Sequence, residues 1–176
     1  MIKKSIFVML LINFNLYANL VNDGIDEAKR GNNSQALKLF TESCENNQAM
    51  GCYYLAEAYT SGSVAHKDFK KAFVYYEKSC KLGSDKGCMT TAKSYYYGQG
   101  VQKDYRKALA LFSKDCEEGG ASACALSAKI YELGQGIPRD RNIAKKYYKQ
   151  ACDYGDNNSC AYYQQIIEFA TKTKFN

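Results

Sequence analysis

Apolar residues return with a helical rhythm in one block after another along this chain. In the block that opens at Asp68, residues Ala72, Phe73, Tyr75, Tyr76 and Cys80 fall at helical spacing, and Gly83 follows as a stop. Asp68 suits a helix start, because its carboxylate can accept hydrogen bonds from the free amides of the first turn. A second helix then runs from about Lys86 to Tyr97, with Ala92 and Tyr95 on its apolar stripe. Gly98-Gln99-Gly100 ends it, and Asp104 starts the next block. Read this way, the pattern predicts helices at about 20–30, 33–46, 49–61, 69–82, 86–97, 105–118, 122–133, 141–154 and 158–170.

The blocks are copies of one another, offset by 36 residues. Ala36, Ala72, Ala108 and Ala144 share one column, and Phe40, Tyr76, Phe112 and Tyr148 another. Asp68, Asp104 and Asp140 align, with Asn32 in the same place, as do Tyr59, Tyr95 and Tyr131, and Gly62, Gly98 and Gly134. Self-similarity at this period marks a repeat architecture, in which a lone helical pair cannot bury its apolar face and stacking creates the core. The expected fold is therefore all-α, a solenoid of about four helix-pair repeats over residues 19–170. Val64 stands where the other loops carry Gly100 and Gly136, so the first loop should bend differently, and Pro138 stiffens the third. The final helix has Ala170 in the glycine column and carries Ile166, Ile167 and Phe169, which reads as an end cap, with 171–176 a flexible tail.

Residues 1–18 read as a signal peptide. Lys3 and Lys4 precede an apolar run from Ile6 to Ile12, and Leu16-Tyr17-Ala18 resembles a cleavage site. Asn13 and Asn15 interrupt the run, so no stable membrane anchor is expected, and export to the periplasm or medium follows. A single proline and 16 tyrosines with no tryptophan suit helices packed through Tyr, Ala and Leu. The formal charge of +6 is scattered over all repeats rather than gathered in a stripe, which excludes the footprint of a nucleic-acid binder.

Eight cysteines form four pairs with seven residues between partners: Cys44/Cys52, Cys80/Cys88, Cys116/Cys124 and Cys152/Cys160. In an exported protein an even count at regular spacing implies disulfides. Zinc sites place two to four residues between paired cysteines and commonly recruit histidine, whereas His66 is the only histidine here, so no metal or other cofactor is expected. Two pairings suit the repeat. Local pairing joins each close pair; the competing scheme joins Cys52 to Cys80, Cys88 to Cys116 and Cys124 to Cys152, and strands Cys44 and Cys160. Local pairing leaves no orphan thiol and is preferred.

Leu55-Ala56, Tyr59, Gly62, Asp68, Ala72 and the Tyr75-Tyr76 pair together resemble the Sel-like repeat, a relative of the tetratricopeptide repeat. With a cysteine pair per repeat and a signal sequence, the chain resembles the Helicobacter cysteine-rich proteins over about residues 30–165. Thr91 and Ser127 depart from the pattern where Leu55 falls, as does Gln164 in the small-residue column. The resemblance implies a right-handed superhelix of antiparallel helix pairs with local disulfides, in a secreted or periplasmic protein. It also implies the label of β-lactamase or penicillin-binding protein that several members carry.

No catalytic motif supports that label. Ser84-Asp85-Lys86 and Lys172-Thr173-Lys174 only brush against the motifs of serine β-lactamases, and Glu117-Glu118 are neighbours on a helix and so face apart. Binding is the stronger expectation, by a monomer that takes an unknown protein, peptide, β-lactam or peptidoglycan-derived ligand. By resemblance the groove of such a superhelix is built from the helix at 49–61 and its copies. Its variable positions are Tyr54, Glu57 and Ser61, then Thr90, Lys93 and Tyr97, then Leu126, Lys129 and Leu133.

Overall fold

Aspartate and glycine punctuate the chain at the places where its helices begin and end. A computed structural model describes residues 20–172, with side chains through residue 168. The expected signal peptide (1–18) and the side chains of Phe169, Ala170 and the tail lie outside the described residues. Among the described residues every regular element is a helix. They are α1 (20–29), α2 (Asn33–Glu45), α3 (Ala49–Ser61), α4 (Phe69–Lys81), α5 (Asp85–Tyr97), α6 (Tyr105–Glu117), α7 (Ala121–Leu133), α8 (Arg141–Asp153) and α9 (Asn157–Lys172).

Three helices start on the aspartate column. The Asp68 carboxylate accepts from the amides of Lys70 and Lys71 at 3.0 Å, Asp104 accepts from Lys107 at 3.0 Å, and Asp140 accepts from Asn142 and Ile143 at 2.9 Å. Asn32, in the same column, makes no such cap; its side-chain amide donates to Glu27 at 2.6 Å instead. A second device joins α2 to α3, α4 to α5, α6 to α7 and α8 to α9. The amides of Asn47 and Gln48 turn back onto the carbonyls of Cys44 and Ser43, both at 3.0 Å, and the same pair of bonds recurs at Gly83/Ser84, Gly119/Gly120 and Gly155/Asp156. The reversal needs a left-handed residue, filled by Asn47 (φ 57°) and by glycine in the three later copies.

The longer loops, from α3 to α4, α5 to α6 and α7 to α8, reverse on glycine. At Gly100 (φ +74°) an added Cβ would sit 1.9 Å from the Phe69 carbonyl oxygen, so no side chain fits. Val64 holds the corresponding place in the first loop without a positive φ, and its side chain packs against the first core cluster. The first loop thus bends differently from its later copies.

The chain divides into two compact units, one comprising residues up to Thr91 with 99–101, the other comprising 92–98 and everything from 102 onward. In the first, α2 packs on α3 and α3 on α4. Its core holds Ala36, Phe40, Cys44, Cys52 and Leu55, continued by Ala56, Ala72 and Tyr76. In the second, α6, α7, α8 and α9 pack each on the next, as in a solenoid, around Phe112, Ile130, Ala128, Ala144 and Tyr148. The alanine columns let neighbouring helices approach closely, and tyrosines stack in the space that remains. Tyr59 lies on Tyr75 with centroids 5.9 Å apart in the first unit, and Tyr131 on Tyr147 at 5.7 Å in the second.

Four disulfides, Cys44–Cys52, Cys80–Cys88, Cys116–Cys124 and Cys152–Cys160, clamp the short turns. The spacing explains the pairing. Each first cysteine ends one helix, the tight turn follows, and the second cysteine lies on the first turn of the next helix, with Cα atoms 4.3–4.8 Å apart.

Candidate functional site

Each helix that follows a disulfide turn (α3, α5, α7, α9) has one face in the core and another that the core leaves over. On α7, Leu126, Lys129 and Leu133 follow at intervals of three and four residues, which places them along one face. Leu133 is 53% exposed and Lys129 is exposed, while Leu126 is half-buried. Lys93 and Tyr97 hold the same columns on α5; Tyr97 is 58% exposed and sets its ring edge-on against Tyr96 at 4.8 Å. On α9, Tyr162 falls in the Leu126 column and is 52% exposed. Half of the six large apolar side chains left exposed in the described residues therefore occupy these columns in the second unit.

The corresponding face of the first unit is more inward. Tyr54 is half-buried and stacks on Phe40 with centroids 5.6 Å apart, so it is part of the packing. The Glu57 carboxylate accepts the Tyr76 hydroxyl, and Ser61 hydrogen-bonds Ser63 at 2.7 Å. The Thr90 hydroxyl donates to the Lys86 carbonyl at 2.9 Å.

The Tyr76–Glu57 pair has a counterpart in the second unit, where the Tyr148 hydroxyl donates to Glu132 at 2.6 Å. Burial, and next the hydrogen bond to the carboxylate, pushes both phenols well above the usual tyrosine range. The sequence reading missed Glu132. It lies one helical turn from the Lys129 column, and its only sequence signal is an acid where the earlier copies carry Thr60 and Tyr96.

Two clefts open side by side on the second unit and share Glu132 and Tyr162 in their walls. The smaller, about 200 Å³, runs past Leu126, Lys129 and Asn158. The larger, about 450 Å³, lies between the end of α7, the start of α8 and α9; Arg139, Arg141, Ala144, Gln165 and Ile166 complete it. A third cleft, of about 570 Å³ on the first unit, is lined by the α3–α4 loop and includes the exposed His66.

The near-match at Ser84 has a structural duty, and the side chains of Lys172-Thr173-Lys174 lie outside the described residues. Ser84 is buried, and its hydroxyl oxygen accepts the Gly87 amide at 3.2 Å, which caps the start of α5. Glu117 and Glu118 are exposed at the end of α6. All eight cysteines are in disulfides, and among the described residues no group of three or more His, Cys, Asp and Glu is placed to hold a metal ion.

Paired helices, repeated glycine loops and one disulfide at each short turn define a disulfide-stapled helical repeat protein. The Sel1 repeat model matches residues 15–48, 49–84, 91–119 and 121–156, and the chain belongs to the Sel1 repeat family. In the frame of that model, Cys44–Cys52 and Cys116–Cys124 each join the end of one repeat to the beginning of the next. Helicobacter pylori cysteine-rich protein B is 30% identical over 74% of this chain and 93% of its own length, with a TM-score of 0.54. A Sel1 repeat protein from Oxalobacter formigenes has the same fold at 23% identity and a TM-score of 0.73, over 85% of this chain. So does c5321, a protective antigen of uropathogenic Escherichia coli strains, at 24% identity and a TM-score of 0.70, over 75%. The alignments span 62% and 28% of the lengths of these two proteins. No curated protein matches the chain.

Proposed function

We propose that this protein is an exported binding scaffold that holds a protein or peptide ligand against the face formed by Leu126, Lys129 and Leu133 on α7. The observation that carries the reading is the exposure of Tyr97, Leu133 and Tyr162, three large apolar side chains on the helices that follow disulfide turns in the second unit. Large apolar side chains are costly to leave in water and are enriched where partners dock. Lys93 and Lys129 fall four residues before Tyr97 and Leu133, so each apolar group has a cation on its own helical face. The ligand that suits such a surface is an extended segment with apolar and acidic residues. Export is supported by four disulfides, which persist in oxidising compartments, and by the likeness to a cysteine-rich relative.

The test is affinity capture with purified protein from envelope and culture-medium fractions, beside the variant Tyr97→Ser/Lys129→Ala/Leu133→Ser. All three positions are exposed, so helicity and melting temperature should hold while the captured partner is lost. A partner retained at wild-type level by a folded variant removes this face from the reading. Native protein found only in the cytosol removes export.

A further inference from the structure

The larger cleft of the second unit lies where the repeat is broken. Position 141 continues the column of Phe69 and Tyr105, and position 132 continues that of Thr60 and Tyr96. In the preceding copy those two places hold rings that pack edge to face, Tyr96 against Tyr105 with centroids 5.4 Å apart. In the last copy the ring pair gives way to Glu132 and Arg141, and a cleft of about 450 Å³ opens beside them. That volume falls in the range of ligand clefts, about 300–1,000 Å³.

The walls divide by chemistry. Ala144, Tyr162 and Ile166 make an apolar side. Arg139 and Arg141 supply two guanidinium groups, both on exposed residues, and among the described residues neither has a hydrogen bond or ion pair. Glu132 is the one acid in the lining, and its carboxylate is already engaged by the Tyr148 hydroxyl. A guanidinium presents paired donors that match the two oxygens of a carboxylate. Two of them against one committed acid leave the cleft with a net demand for negative charge. An aromatic or branched aliphatic side chain meets the apolar wall.

We infer that this cleft binds the free C-terminal carboxylate of a peptide whose last residue is apolar, with Arg139 and Arg141 on the carboxylate and Tyr162 and Ile166 against the side chain. The inference deepens the scaffold reading and rests on it, since the two clefts share Glu132 and Tyr162 and one ligand can run from the α7 face into this end.

Fluorescence anisotropy with three labelled probes tests it on the full chain. The first is Ala-Leu-Phe with a free carboxylate, the second is the same peptide amidated, and the third is an amidated peptide with an internal aspartate, Ala-Asp-Leu-Phe. The free acid should bind, and amidation should weaken binding by about tenfold or more, the loss expected for charge-assisted hydrogen bonds. The exposed double substitution Arg139→Gln/Arg141→Gln should erase the difference between acid and amide without moving the melting temperature. Lys146→Ala, which removes an exposed cation of α8 outside both clefts, should leave the ratio of acid to amide unchanged. No binding of the acid, equal binding of acid and amide, or a difference that survives in the double variant would each overturn the proposal. An aspartate probe as tight as the free acid overturns the assignment to a chain end. Acid-dependent binding without any captured partner removes the scaffold reading alone, and a captured partner without acid dependence removes this cleft alone.

Discussion

The hydroxyl of Tyr148 is the clearest case of a single atom setting its surroundings. The column that holds Tyr76 and Tyr148 holds Phe112 between them, and the partners change to match. Glu57 and Glu132 receive the two hydroxyls, while Phe112, which has none, meets the ring of Tyr96 at 6.2 Å. Replacing Tyr148 by Phe deletes one hydrogen bond and keeps the ring, so it should cost about 1 kcal/mol, measured by urea denaturation at neutral pH. The two phenols, raised by burial first and by the bond to the carboxylate second, have a pH signature. Raised phenol pKa values mean that the folded chain keeps its protons where the unfolded chain, titrating near pH 10, gives them up. Stability is therefore full below about pH 10 and falls above it, and Tyr76→Phe/Tyr148→Phe should flatten the decline above about pH 10. The aromatic column was legible because it recurs. Its acid partners were not, since Glu57 and Glu132 lie in different columns and no period connects them.

Helix ends carry most of what could be read in advance about the elements. Aspartate at a fixed place and glycine at two others mark starts and stops, because the amides of a first turn need an acceptor and a left-handed turn disfavours a Cβ. Asn32 shows the limit of that logic. It occupies the capping column, but Glu27 draws its side chain away, and α2 begins without a side-chain cap. Asp68→Ala and Asp140→Ala should each lower stability by about 1 kcal/mol. Asn32→Ala should move the urea midpoint less than either, and an equal shift would mean that the column acts by something other than capping. The Arg139 and Arg141 cleft escaped the sequence reading for the opposite reason. Periodicity exposes what repeats, and this site exists because the last copy exchanges a ring pair for charges.

For the whole molecule the four sulfur bridges are large against the small net stability of a fold. Each closes a loop of about eight residues, worth roughly 2.5 kcal/mol through the entropy of the unfolded chain. Four such closures compare with a net stability of about 5–15 kcal/mol for ordinary domains. Full reduction should therefore lower the melting temperature by more than about 10 °C, followed by circular dichroism with and without a phosphine reductant. A reduced protein that melts with the oxidised one would show that packing alone holds the helices. Because partners always lie eight positions apart inside a period of 36, removing or inserting one whole period anywhere between the first cysteine and the last still gives every sulfur a mate at the same distance. The length of such a chain can drift over generations by recombination without ever creating a stray reactive thiol.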